Sequence, residues 1–137
     1  MKKLLFGLLL LSSTLLATIT DIEATPKFIK TTKLKIIDIR TDSEWVTHGI
    51  IKDAFLLTFF DRFGAYDIDA FTKKLDKIID KGEKFAIIDH AGGRTKLLSH
   101  FLGNERGYDV VNLKGGMVQL IKKGYKPSFN SISISDR

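Results

Sequence analysis

Residues 85–102 read FAIIDHAGGRTKLLSHFL, and this stretch decides the fold. Phe85, Ala86, Ile87 and Ile88 make a short apolar run, as a strand buried on both faces requires. Asp89, His90, Ala91, Gly92, Gly93, Arg94 and Thr95 interrupt it with a glycine-containing loop. Leu97, Leu98, Phe101 and Leu102 then recur at helical spacing. A buried strand that passes through a loop into an amphipathic helix is half of a parallel β-α-β unit.

The pattern repeats outward from this segment. Residues 34–39 (LKIIDI) and 54–57 read as strands. Between them Thr41 and Glu44 have capping-box spacing, which predicts a short helix through Trp45 that ends near Gly49. Asp67 is placed to cap a helix whose apolar stripe is Ile68, Phe71, Leu75, Ile78 and Ile79, with Gly82 at the position that ends it. Residues 109–113 read as a further strand, Gly115-Gly116 as a turn, and residues 117–123 as a last helix. The expected fold is α/β: one domain built on a doubly wound parallel sheet of about five strands with helices on both faces. Phe59, Phe60 and Phe63, in the loop at residues 58–66, are assigned to core packing. Residues 128–137 alternate Ser and Ile, a pattern that suits either an edge strand or a tail.

The N-terminus has a different character. Lys2 and Lys3 precede an apolar run over residues 4–16, and Ala17 offers a small residue for cleavage, the layout of a secretory signal peptide. An uncleaved anchor is the alternative, but the run is shorter than the ~20 residues of a membrane span. The expected organisation is therefore a signal peptide at 1–17, a lead-in at 18–32, the folded domain at 33–127 and a tail at 128–137. A periplasmic or secreted protein with no membrane span after signal removal follows.

Composition narrows the chemistry. Hydrophobic residues are 44% and charged residues 28%, an ordinary globular balance. The chain has no cysteine, which excludes disulfides, thiolate metal sites and any reaction that needs the chain's own thiol. The 22 basic residues outnumber the 16 acidic ones, but they form no aromatic-interleaved stripe, which argues against nucleic acid as a partner. His48, His90 and His100 lack the sequence spacing of a zinc motif, so no metal and no cofactor are expected. Asp38 is read as a structural hydrogen-bonding residue, and Arg40 with Glu44 as a structural ion pair.

Ligands of open parallel sheets sit beyond the C-terminal strand ends, which places the site at residues 89–95. Gly92 and Gly93 let the backbone curl so that its N–H groups converge, and the following helix N-terminus favours negative charge there. The loop is no phosphate-binding P-loop, because that motif's spacing and lysine are missing. Asp89 can supply the negative charge itself by accepting the loop amides and pairing with Arg94. It then plugs the site.

The residues carry a family resemblance across roughly residues 33–126. Ile36-Ile37-Asp38-Ile39-Arg40, followed by Glu44-Trp45 and by Gly49, Ile51 and Ala54, resembles the first signature of the rhodanese-like family. Residues 89–95 resemble its active-site loop, Cys-x-x-Gly-x-Arg followed by Ser or Thr, with Gly92 and Arg94 in place. Gly107-Tyr108, Asp109-Val110 and Leu113 with Gly115-Gly116 resemble its closing signature. In active members the cysteine takes a sulfur atom from a donor, holds it as a persulfide and passes it on. Asp89 stands at that position here, and a carboxylate forms no persulfide. Ile50 and Leu120 also depart from the family, which often has histidine and tryptophan there.

The resemblance thus implies the fold and the amide cradle without the activity. The leading expectation is a monomeric binding or regulatory module for an unknown protein partner or small anion. The alternatives are an accessory protein working with a partner's persulfide, a weak hydrolase that uses Asp89, or a relic of an active ancestor.

Overall fold

Every residue of Phe85–Ile88 is fully buried, because this strand lies at the centre of a sheet covered on both sides. The computed structural model describes residues 17–129. The strands are β1 (Ile19–Glu23), β2 (Ile36–Asp38), β3 (Phe55–Leu56), β4 (Phe85–Ile88) and β5 (Val110–Lys114). They form one sheet in the order β1-β5-β4-β2-β3, and all its pairings are parallel. The helices are α1 (Pro26–Thr31), α2 (Asp42–His48), α3 (Ile68–Leu75), α4 (Gly93–His100) and α5 (Gly116–Lys122); a π-helical turn, Phe101–Glu105, continues α4. The expected α/β sheet of five strands is the observed one.

Side chains alternate across a strand, so each strand feeds two cores. Ile37, Phe85, Ile87 and Val110 pack with Phe71 and Leu75 of α3 and with Leu98 of α4 and Leu102 after it. Ile36, Ala86, Ile88, Val111 and Leu113 pack on the other face with Met117 and Leu120 of α5, flanked by Phe28 and Ile29 of α1. Burying each such Ile, Leu or Phe contributes about 1.5–3 kcal/mol. The register Ile36↔Ala86, Ile37↔Ile87 and Asp38↔Ile88 keeps both sets aligned. A one-residue slip would turn each core toward the wrong face.

Four expectations need correction. Residues 18–32 are no lead-in: β1 pairs over its whole length with β5, and α1 is capped by Thr25 with Pro26 in its first turn. The segment ITDIE was missed because an edge strand carries polar residues and shows no continuous apolar run. Second, α3 ends at Leu75 rather than near Gly82. The hydrogen bonds beyond it tighten, Lys77 N donating to Lys74 O and Ile78 N to Leu75 O, and this turn still delivers Ile79 to the core. Third, Leu97 is exposed, while Leu98 and Leu102 hold the stripe. Fourth, Phe63 is 79% exposed; of the three loop phenylalanines only Phe59 is fully in the core, with Phe60 partly buried against it.

Ile50 and Ser128 exchange backbone hydrogen bonds of 2.9 and 2.8 Å, which ties the segment after α5 to the one after α2. The segments at 1–16 and 130–137, including the expected signal run and most of the Ser/Ile tail, lie outside the described residues. No helix among the described residues is long and apolar enough to cross a membrane.

Candidate functional site

The site begins where β4 ends. Asp89 is 1% exposed and its carboxylate faces back into its own loop. Oδ1 accepts the Gly92 N–H at 2.6 Å, and Oδ2 accepts the N–H groups of Arg94 at 2.8 Å and Thr95 at 3.0 Å. Gly92 adopts φ +99°, which turns the chain into α4 and brings the amides together. The cradle expected of this loop therefore exists and holds the chain's own carboxylate. Charge-assisted bonds of this kind are about twice as strong as neutral ones.

A second helix fixes the loop from outside. Met117 N donates to Asp89 O and Val118 N to His90 O, both at 2.9 Å. Gly116, at φ +59°, makes this approach sterically possible: a Cβ there would lie 2.5 Å from His90 O and 2.7 Å from Asp89 O. The Gly115-Gly116 pair reads in sequence as a turn, and its role as a seat for the loop becomes visible only when α4 and α5 are placed together.

The ion pairs differ from the expected ones. Arg94 does not turn its guanidinium to Asp89; it binds Glu44 through bonds of 2.9 and 2.6 Å. Arg40 does not pair with Glu44 either. It is fully buried, bound to both oxygens of Asp38 at 2.9 and 2.7 Å, and donates to Gly49 O at 2.7 Å. Asp38 is thus the structural residue the sequence suggested, with Arg40 as its partner. Chain direction explains the exchange: Arg40 points back beneath the end of β2, whereas Glu44, at the third position of α2, caps that helix and faces α4.

Burial alone would raise the Glu44 carboxyl, but the hydrogen bonds from Arg94 and from the Thr41 N–H and hydroxyl outweigh it and hold the group at about 2. The bond to Glu44 likewise pushes the Arg94 guanidinium above its ordinary value. Beside this pair opens a cleft of about 550 Å³ between Ser43 and Glu44 of α2, Arg94, and the loop at Phe60, Asp61 and Arg62. Asp61 shapes that loop by accepting the N–H groups of Phe63 at 2.8 Å and Ala65 at 2.9 Å. Arg62 lies over the exposed Phe63 ring, 4.7 Å from its centre.

The structure also joins two residues that the sequence left separate. The rings of His48 and His90 are 5.4 Å apart, and Nδ1 of His90 is buried without a hydrogen-bond partner among the described residues. His100 stands apart, with its Nδ1 on Asn104. No group of three or more metal-ligating side chains occurs among the described residues. Ile50 and Leu120 are both buried core residues.

A parallel sheet whose central strand ends in an amide-lined loop at a helix N-terminus defines the α/β domains that bind or react at their C-terminal strand edge. Within that class, the chain belongs to the rhodanese-like domain family, whose model matches residues 22–123. It is similar to a rhodanese-like domain protein from Staphylococcus aureus, with 24% identity and a TM-score of 0.58 over 80% of this chain and 98% of that one. A protein from Staphylococcus saprophyticus is similar at 25% identity and TM-score 0.59, over 78% and 98% of the two chains. A rhodanese-related protein from Thermoplasma volcanium is similar at 22% identity and TM-score 0.60, over 80% and 98%. No curated protein matches the chain.

Proposed function

We propose that this rhodanese-like domain is a catalytically inactive member of its family that is exported and works as a binding or regulatory module. One observation carries the reading: both carboxylate oxygens of Asp89 are committed to the N–H groups of Gly92, Arg94 and Thr95. By the family's loop pattern Asp89 stands where the sulfur-carrying cysteine belongs, and the chain has no other cysteine to replace it. An external anion approaching the loop meets a filled cradle and a like charge, a repulsion of about a few kcal/mol at a partly buried site. The same commitment leaves Asp89 poorly placed as a nucleophile or base, which weakens the hydrolase alternative. Binding by a protein partner is supported by the open cleft beside Arg94 and by the projecting Phe63. Phenylalanine and arginine are both enriched at protein interfaces relative to the rest of the surface.

The test has two arms. Purified protein incubated with thiosulfate and cyanide is expected to form no thiocyanate above a buffer control, and turnover would refute the reading. A photo-crosslinking residue in place of Phe63, in the native cell, is expected to yield a discrete protein adduct that the same residue in place of exposed Glu105 does not. Identical adducts from both positions would remove the cleft as a binding surface.

A further inference from the structure

His48 ends α2 and is exposed; His90 follows Asp89 in the loop and is half-buried. Folding brings their rings to 5.4 Å, with planes inclined by 37°. Two imidazoles on one tetrahedral zinc ion, with Zn–N bonds of about 2.0–2.1 Å, have ring centres about 5 Å apart. The observed separation of 5.4 Å is short enough for one ion to reach both rings. Ring packing alone also reaches such distances, so a second observation decides. Nδ1 of His90 is buried and has no hydrogen-bond partner among the described residues. Buried polar nitrogens are nearly always satisfied, and a neutral imidazole needs both a donor's and an acceptor's partner. An uncommitted ring nitrogen beside a second imidazole is what a metal ion requires.

We propose that His48 and His90 form a two-ligand site for a borderline divalent transition cation, with Cu²⁺ preferred over Zn²⁺ and Ni²⁺. Imidazole nitrogen suits these ions, and the Irving–Williams order places Cu²⁺ first among them. Mg²⁺ and Ca²⁺ are excluded because they take oxygen ligands. With two protein ligands, the remaining coordination positions belong to water, which reaches the ion on the exposed His48 side. The site is independent of the inactive-module reading, since it uses neither Asp89 nor the amide cradle.

The experiment titrates tag-free protein with Cu²⁺, Zn²⁺ and Mg²⁺ by calorimetry and by NMR of the histidine rings. Saturable binding of one Cu²⁺ per chain is expected, weaker binding of Zn²⁺, and none of Mg²⁺. Cu²⁺ should broaden the His48 and His90 ring signals at concentrations that leave His100 sharp. His48→Ala, at an exposed helix end, and His90→Gln should each abolish saturable binding, whereas His100→Ala keeps it. Absence of saturable Cu²⁺ binding, equal broadening at His100, or binding that survives both His48→Ala and His90→Gln would overturn the proposal.

Discussion

The guanidinium of Arg94 closes on the carboxylate of Glu44 through two hydrogen bonds and joins α4 to α2 at the mouth of the site. Arg94 at the same time gives its backbone N–H to Asp89. One residue thus couples the filled cradle to the wall of the cleft.

This pair has a pH signature. Folding lowers the Glu44 carboxyl from 4.5 to about 2. Between those values the unfolded chain binds a proton that the folded chain does not, so this part of the stability is present above about pH 4.5 and is lost as pH falls toward 2. Glu44→Gln removes it. Urea midpoints of wild type and Glu44→Gln should differ most above about pH 5 and converge as pH is lowered to about 2.5. A gap that stays constant over this range would show that Glu44 is not held ionised by Arg94.

The seat of the loop on α5 predicts a graded response to alanine. Gly116 and Gly64 both have positive φ, but of the two only at Gly116 would a Cβ strike backbone oxygens, while at Gly64 it meets nothing within 4 Å among the described residues. Gly64→Ala should cost little more than backbone strain, about 1 kcal/mol. Gly116→Ala adds a steric clash and should cost about 1–3 kcal/mol more by denaturant unfolding. It should also shift the amide signals of Asp89 and His90. Equal destabilisation by the two variants would mean that α5 does not hold the loop.

Export can be checked on the native protein. Cleavage after Ala17 leaves β1 intact, since the strand starts at Ile19 and Thr18 still supplies its carbonyl to Val110 N and its hydroxyl to Asp109. The intact mass of protein recovered from its own cell should correspond to a chain lacking about the first 17 residues, as for a signal peptide. Full-length protein recovered from the cytoplasm would refute export.

What the sequence made legible followed the strength of local signals. Ile87 and Ile88 sit in a fully apolar run, and a parallel strand buried on both faces is the simplest environment for it. The capping pairs at Thr41 and Asp67 were legible because a cap is decided within three residues: Thr41 accepts from Glu44 N, and Asp67 from Ala70 N. β1 was not, because Asp21 and Glu23 mask an edge strand whose place is set by β5. In the site, the amide cradle could be read from Gly92 and its neighbours. The partners of Arg40, Arg94 and His90 could not: Arg94 and His90 meet Glu44 and His48 only because α2 packs against the loop after β4, and Arg40 turns back to Asp38 instead of reaching Glu44. Long side chains reach several candidates, and only tertiary placement selects among Asp38, Glu44 and Asp89.

The strongest test of the cradle is to change what fills it. Asp89→Asn keeps the shape but turns one acceptor into an NH₂ that faces a backbone N–H. An unsatisfied buried pair of this kind costs about 1–3 kcal/mol, so the variant should unfold at lower denaturant than wild type. Asp89→Ala removes the carboxylate and leaves the amides of Gly92, Arg94 and Thr95 without their acceptor. Sulfate or thiosulfate should then shift those three amide signals, while in wild type they stay in place. Asp89→Cys puts a sulfur at the head of α4 among the same donors, where a thiol ionises below its ordinary value of about 8.5. Its thiolate can attack the outer sulfur of thiosulfate, release sulfite and keep the sulfur as a persulfide. Mass spectrometry should show that single-sulfur adduct, and cyanide should remove the sulfur as thiocyanate and return the thiolate. Turnover should remain slow, because Ile50 and Leu120 fill positions where active relatives often carry histidine and tryptophan. If the thiol of the Asp89→Cys variant is no more reactive than free cysteine, and the Asp89→Ala loop ignores anions, then the amides serve only to hold Asp89.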